Sequence, residues 1–331
     1  MIITKTPYRV SLFGGGSDHP AWFREYGGSV VSLAIDKYCY LSTRVLPPFF
    51  DHKFRIVYSK IETPDNYLDI KHPAVRMGIQ KYAPKDFLEI QHHGDLPARS
   101  GVGSSSAFAV GLIHSLKLLN GENPSPSQLA NDAIDLEQGD LKENVGSQDQ
   151  IACALGGINS ISFHQSGNWE ASPISLSDDY ISEIEERMVL VFSGVSRTSS
   201  DISKNFLVDL KSKTKAMMRT IELANECKQI LNSGGDLDQL GEMFNESWSL
   251  KESVNSDSVN PKLQELWDRA NLAGALGGKV LGAGGGGFCM FWVKRGERES
   301  FLKKLGPVVT VPAKVSFMGS TCLLNSTKSE A

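Results

Sequence analysis

Cysteine is scarce: Cys39, Cys153, Cys227, Cys289 and Cys322 are scattered over 331 residues, and none forms a Cys-x-x-Cys pair. That usage excludes a disulfide framework and a thiolate zinc site, and it fits reduced thiols in the cytoplasm. No apolar run approaches the roughly 18 residues of a membrane span. The opening Met-Ile-Ile-Thr-Lys-Thr-Pro lacks a signal-peptide layout. Positive charge is not in excess either: 34 Lys and Arg against 38 Asp and Glu leave a formal net charge of −4. Neither nucleic acid nor an anionic membrane is therefore expected as the main partner. No Gly-Lys-Ser/Thr closes a glycine loop, so there is no Walker motif, and the His-Arg-Asp and Asp-Phe-Gly signatures of protein kinases are missing. Internal repeats and low-complexity segments are absent as well.

What is present reads as a soluble globular chain of about two domains, with 40% hydrophobic and 22% charged residues. The polar connection 166–182, with Gly167, Asn168 and Pro173, marks the expected boundary. It gives an N-terminal domain over 1–180, a C-terminal domain over 181–324 and a polar tail over 325–331. Patterning predicts strands over 2–13, 29–34, 38–45, 54–58 and 87–91, with the second and third joined around Asp36-Lys37, and a short helix over 74–82. Ser125, Pro126 and Gln128 spell a helix start with a capping box. Beyond the boundary the pattern predicts a buried strand over 188–192, helices over 201–231, 236–254 and 260–276, and a strand over 288–293. A short helix over 297–305 and strands over 313–317 and 321–324 complete it.

The most informative stretch is Leu96-Pro97-Ala98-Arg99-Ser100-Gly101-Val102-Gly103-Ser104-Ser105-Ser106-Ala107, which runs into a helix ending near Leu119. Glycines allow a close backbone approach, serines cap helices, and a helix start offers free N–H groups with partial positive charge. Together they make an anion cradle, most often for phosphate; an ordinary loop-to-helix turn is the plainer alternative. On the helix that follows Ser125, residues Ala130, Ala133, Ile134 and Glu137 share one face. A carboxylate on that apolar stripe needs a pairing cation or a metal. Asp149 lies in the first turn of a helix ended by Gly156-Gly157, where a carboxylate is favoured, and it either acts or merely stabilises the helix end. Arg9 sits among strand formers, as an edge charge or a placed one. Gly14-Gly15-Gly16-Ser17-Asp18-His19 makes a second flexible loop. Gly282-Ala283-Gly284-Gly285-Gly286-Gly287 formally matches a dinucleotide fingerprint but precedes a strand, so the Rossmann context fails. Bare backbone there can approach a ligand or another loop. A phosphate cradle, carboxylates and a buried cation are the parts that phosphoryl transfer requires.

Three motifs in order resemble those of the GHMP small-molecule kinases: Thr6-Pro7-Tyr8-Arg9-Val10 with Gly14–Asp18, then Pro97–Ala107, then Gly282–Phe288. The resemblance spans about residues 3 to 324. It implies an α+β, two-domain GHMP kinase fold: a ribosomal protein S5 domain 2-like N-terminal domain, and a ferredoxin-like C-terminal domain with added helices. Within the superfamily, Gly14–Asp18, Tyr26-Gly27-Gly28, Ile35-Asp36-Lys37-Tyr38, Gly146–Gln150 and Gly194-x-x-Arg197 look most like D-glycero-D-manno-heptose 7-phosphate 1-kinases. L-fucokinase is their near relative. Gly15-Gly16 stands where galactokinases carry a Glu-His pair, which argues against galactose. Arg99 departs from the small residues usual at its position, and either touches a nucleotide phosphate or lies on the surface.

The resemblance implies ATP bound by Pro97, Ser100, Gly101, Val102, Gly103, Ser104, Ser105 and Ser106, with Mg²⁺ held by Ser105 and Glu137. Asp149 and Arg9 are the implied catalytic pair. Gly15, Gly16, Ser17, Asp18, His19, Arg197, Gly284, Gly285 and Gly286 are the implied sugar-binding residues. The implied reaction is ATP-dependent phosphorylation of heptose 7-phosphate at its C1 hydroxyl, for GDP-heptose and surface polysaccharide synthesis, by a cytoplasmic monomer or homodimer. Alternatives are an L-fucokinase-like or other GHMP kinase, and a nucleotide-binding regulator. A phosphate held away from ATP needs its own cation, for which Arg197 is the first choice and Lys37 the second.

Overall fold

The computed structural model describes residues 1–83, 87–195, 213–254, 261–282 and 286–326. β1 (Ile2–Phe13) runs antiparallel to β2 (Gly28–Val45) along nearly its whole length, from Ile2 opposite Thr43 to Phe13 opposite Val31. The short α1 (Pro20–Tyr26) lies between them in sequence. The pattern predicts two strands parted at Asp36-Lys37, whereas β2 is one strand of 18 residues. The register shifts between Pro7 and Tyr8, so Asp36 and Lys37 are accommodated as a bulge. Pro7, which has no N–H to donate, falls at that irregularity. Asp36 is held instead by the returning chain: its N–H donates to Lys314 O at 2.9 Å, and its Oδ1 accepts from Lys314 N at 2.8 Å.

The first sheet continues through β3 (Arg55–Val57), β4 (Ile61–Glu62) and β5 (Leu88–Gly94), in the order β2-β5-β3-β4. β6 (Ile158–Phe163) pairs with β2, and β7 (Trp169–Pro173) with β6. The polar connection 166–182 therefore contains a strand, and the link to the second half is reduced to 174–177. Helices α2 (Pro73–Tyr82), α3 (Ser104–Leu119), α4 (Pro126–Ile134) and α5 (Gln148–Leu155) belong to this half. α3 packs on β1 and β2, with Thr4 Oγ1 donating to Gly111 O at 3.1 Å. The predicted capping box is present at Ser125 and Gln128.

After α6 (Asp178–Arg187), β8 (Met188–Phe192) opens the second sheet. The helices α7 (Thr214–Ser233), α8 (Gln239–Val254) and α9 (Pro261–Ala273) come next. Then β9 (Gly277–Val280), β10 (Phe288–Trp292), α10 (Arg298–Leu305) and β11 (Val309–Val311) complete it. Its order, β11-β8-β10-β9 and antiparallel throughout, is that of a ferredoxin-like unit with extra helices. The final strand does not stay there: β12 (Thr321–Asn325) pairs with β1 in the first sheet. The two halves meet over apolar surface, with Phe13 at the end of β1 stacked on Phe244 of α8, ring centroids 4.5 Å apart. No helix of the described residues is long and apolar enough to cross a membrane.

Candidate active site

The loop before α3 is built for a left-handed residue. Gly103 precedes the helix at φ 73°, ψ 29°, a conformation only glycine takes without a Cβ penalty. The cap is therefore glycine rather than the expected serine, and no side chain bonds the first N–H groups of α3. The serines enter the first turn instead. Ser105 Oγ donates to Glu137 Oε1 and Ser106 Oγ to Glu137 Oε2, each at 2.7 Å. Ser100 Oγ donates to Pro97 O at 2.6 Å, Ser104 Oγ accepts from Arg99 N at 3.2 Å, and Val102 is fully buried. Arg99 itself is exposed, at φ 60°.

Glu137 reaches this loop from a π-turn over 135–140 that continues α4. The regular helical period ends at Ile134, and the widened turn carries the carboxylate inward. Glu137 is 1% exposed and takes a third hydrogen bond, from Gln150 Nε2 at 2.6 Å. Burial pushes its pKa up to about 7 against the pull of these donors. Its partners are all neutral, and no cation among the described residues pairs with it. One carboxylate with a hydroxyl beside it suits a hard cation that draws its other ligands from phosphate and water, as Mg²⁺ does.

Asp149, in the first turn of α5, meets Arg9 of β1. Arg9 Nε donates to Oδ1 at 2.7 Å, Nη2 to Oδ2 at 2.5 Å, and Nη1 to Gly101 O at 2.6 Å. Burial alone would lower the guanidinium's pKa; the charge and hydrogen bonds of Asp149 outweigh it and raise it. A quarter of the Asp149 side chain remains exposed. Gly103 lies against the pair, since a Cβ there would sit 3.0 Å from Arg9 Cγ and 3.6 Å from Asp149 Oδ2.

The first loop is braced within the protein. Asp18 is 2% exposed, and its oxygens accept from Gly16 N, Gln148 Nε2 and Gln148 N at 2.9 to 3.2 Å. It thus caps α5 from a distance, where a helix start favours negative charge, and fixes the turn that presents Asp149. Ser17 Oγ braces the same loop on Gly14 O at 2.7 Å. Gly15 is exposed and Gly16 half-buried beside it; burial holds the His19 imidazole below its usual pKa.

The glycine run approaches another loop. A Cβ on Gly282 would lie 2.7 Å from Gly101 Cα, and Phe288 N donates to Ser100 O at 2.9 Å. Gly286 packs on the Val195 carbonyl, which accepts from Gly287 N at 2.6 Å. Arg197, Gly284 and Gly285 lie outside the described residues. Sequence reasoning gave no site role to Gln148 or Gln150, which flank Asp149 and hold Asp18 and Glu137, nor to the half-buried Lys251 and the buried Lys279. A glutamine on either side of a helix-start aspartate was the only visible signal.

Two family models match the chain: "GHMP kinases N terminal domain" over residues 70–157 and "GHMP kinases C terminal" over 221–307. A D-glycero-alpha-D-manno-heptose 7-phosphate kinase of Campylobacter jejuni is 31% identical over 92% of this chain and 93% of its own length. A bifunctional fucokinase/GDP-fucose pyrophosphorylase of Arabidopsis thaliana is 25% identical over 90% of this chain and 30% of its length. A crystal structure of a D-glycero-D-manno-heptose 1-phosphate kinase from Bacteriodes thetaiotaomicron shares the fold, with TM-score 0.80, 23% identity, and coverage of 98% of this chain and 99% of that one.

Proposed function

The chain belongs to the GHMP kinases and is a sugar kinase that uses ATP; we propose that its acceptor is the C1 hydroxyl of a heptose 7-phosphate, and that Asp149 and Arg9 carry the transfer. The observation that carries the reading is the bidentate Arg9–Asp149 pair standing against the glycine cap of α3. The pairing fixes the direction of the carboxylate, while its exposed quarter leaves it accessible to an acceptor. In the step, the acceptor oxygen bonds to the γ-phosphorus, the bond to the β-phosphate oxygen breaks to leave ADP, and the hydroxyl proton passes to Asp149. In a loose transition state the holding of the hydroxyl in line matters at least as much as basicity. The first N–H groups of α3, which no side chain caps, would receive the phosphate oxygens. Glu137 and Ser105 would hold Mg²⁺, which when bound neutralises charge on the β- and γ-phosphates.

The heptose 7-phosphate assignment draws on the Campylobacter jejuni relative and on the Gly15-Gly16 loop, which has no Glu-His pair. The test is coupled ADP release across a panel of heptose 7-phosphate, unphosphorylated heptose, L-fucose, galactose and mevalonate. Highest kcat/KM with heptose 7-phosphate is expected. Better turnover of fucose or free heptose would refute the acceptor while leaving the kinase.

A further inference from the structure

Both proposed substrates carry phosphate, and phosphate held out of water needs cations. Of the cations named from sequence, Arg197 lies outside the described residues. Lys37 is folded back on its neighbour, with Nζ 3.0 Å from Asp36 Oδ1 and 3.1 Å from Asp36 O. Two lysines that carried no sequence signal stand at the seam of the two halves instead. Lys251 of α8 donates to Gly282 O at 2.5 Å and reaches Val280 O at 3.4 Å. Lys279 of β9 donates to Leu12 O at 2.9 Å, just ahead of the Gly14–Gly16 loop. Both ammonium groups have carbonyl partners; neither makes an ion pair with a carboxylate among the described residues.

These lysines are close to the transfer centre. Gly282, which accepts from Lys251, presses on Gly101, whose carbonyl accepts from Arg9. Burial and then repulsion by Arg9 bring Lys251 down to about 8. Burial, then Lys251 and Arg9, bring Lys279 down to about 7. Arg9 is matched by Asp149, while the two lysines have carbonyl partners, with the Trp248 ring 6.0 Å from Lys251 Nζ, and no carboxylate among the described residues pairs with either. Buried ammonium groups without a counter-ion are costly to keep. A ligand that supplies the missing negative charge removes that cost.

We propose that Lys251 is a phosphate-binding residue of this kinase, supported by Lys279, and that its ammonium engages a terminal phosphate dianion beside the contact of Gly282 with Gly101, whose carbonyl accepts from Arg9. An ammonium has three donors, and the two carbonyls near Lys251 occupy at most two. The dianion has two sources of the same chemistry, the terminal phosphate of ATP and the phosphate already on the acceptor. Only this choice of sources rests on the proposed acceptor; the seat itself is readable with inorganic phosphate and no turnover.

Lys251→Met keeps the aliphatic length near Trp248, and Lys251→Arg restores the charge. Inorganic phosphate is titrated against thermal unfolding of each. The apparent Kd for phosphate is expected to weaken about ten- to a hundredfold in K251M, the loss of one hydrogen bond to a charged group, and to recover within a fewfold in K251R. Steady-state kinetics then name the source. A raised KM for heptose 7-phosphate at unchanged KM for ATP assigns the acceptor's phosphate; a raised KM for ATP or a lowered kcat assigns the nucleotide's. Phosphate affinity and kinetics equal to wild type in K251M would overturn the proposal and leave Lys251 a strut for the glycine run. Should K251M fail to fold, lysine acylation of the wild type, read by mass spectrometry, replaces it: phosphate must protect Lys251, and equal labelling with and without phosphate refutes the seat. If no sugar phosphate is turned over yet K251M loses phosphate binding, the acceptor assignment fails and the seat stands.

Discussion

Asp149 keeps a quarter of its side chain in solvent and shares both oxygens with a guanidinium, whereas Glu137, twelve residues earlier, is 1% exposed and held by two hydroxyls and an amide. Arg9 gives the Asp149 carboxylate a positive partner within the fold. The Glu137 carboxylate has hydrogen bonds without a charge to balance it. A carboxylate with its own cation suits work on protons, and a desolvated one ringed by neutral donors suits a cation that arrives with the substrate.

The same isosteric change at each position should break the two apart. Asp149→Asn is expected to cut turnover by about 10² or more, the scale of a lost positioned acid–base group, with ATP binding nearly intact. It also leaves Arg9, 3% exposed, without its counter-ion, so the ligand-free protein should lose about 2–3 kcal/mol, somewhat less than a fully buried pair because Asp149 is partly solvated. Denaturant unfolding and single-turnover kinetics read both effects, and wild-type-like turnover would remove Asp149 from the chemistry. Glu137→Gln should raise the Mg²⁺ concentration for half-maximal activity by about tenfold, since it removes the carboxylate proposed to hold the ion. Unlike Asp149→Asn it should cost little ligand-free stability, because burial already disfavours the charged form of Glu137 and no cation among the described residues balances it. An unchanged Mg²⁺ titration would make Glu137 a structural residue.

A control away from both carboxylates sharpens the contrast. His114 of α3 is buried, with Nδ1 2.9 Å from Ser320 Oγ, and burial brings its pKa down to about 4. The unfolded chain, with an ordinary histidine near 6.5, binds more protons than the folded one between these values. The folded state is therefore favoured above pH 6.5 and loses stability as pH falls toward 4, by about 3 kcal/mol at most. His114→Gln should flatten that part of the stability profile without altering turnover. An identical slope in wild type and variant would mean that the imidazole is solvated.

The sequence showed its local features well. The strand over 2–13, the loop before α3, the capping box at Ser125 and the start of α5 all rest on short-range rules, and each has its counterpart in the fold. Residues that act through distant partners were not visible. Asp18 looks like a loop carboxylate until α5 is seen to begin against it. Lys251 and Lys279 look like ordinary surface charges until two halves close over them. The glycine run left ligand and loop open as alternatives, and only the fold brings Gly282 against Gly101. β2 was divided at Asp36-Lys37 because the acceptor for Asp36, at Lys314, is 278 residues away.

The pairing of β12 with β1 bears on how the chain is made. Ile2 lies opposite Asn325 and Lys5 opposite Thr321, so the outer edge of the first strand waits for residues more than 300 positions later before it is covered. On a ribosome that adds on the order of 10 residues per second, the first strand would stand with an open edge for about half a minute. Loop closure over such a span comes late, and an uncovered apolar edge meanwhile invites pairing with other nascent chains. Shortening the chain before Thr321 would therefore damage the half of the molecule that is synthesised first.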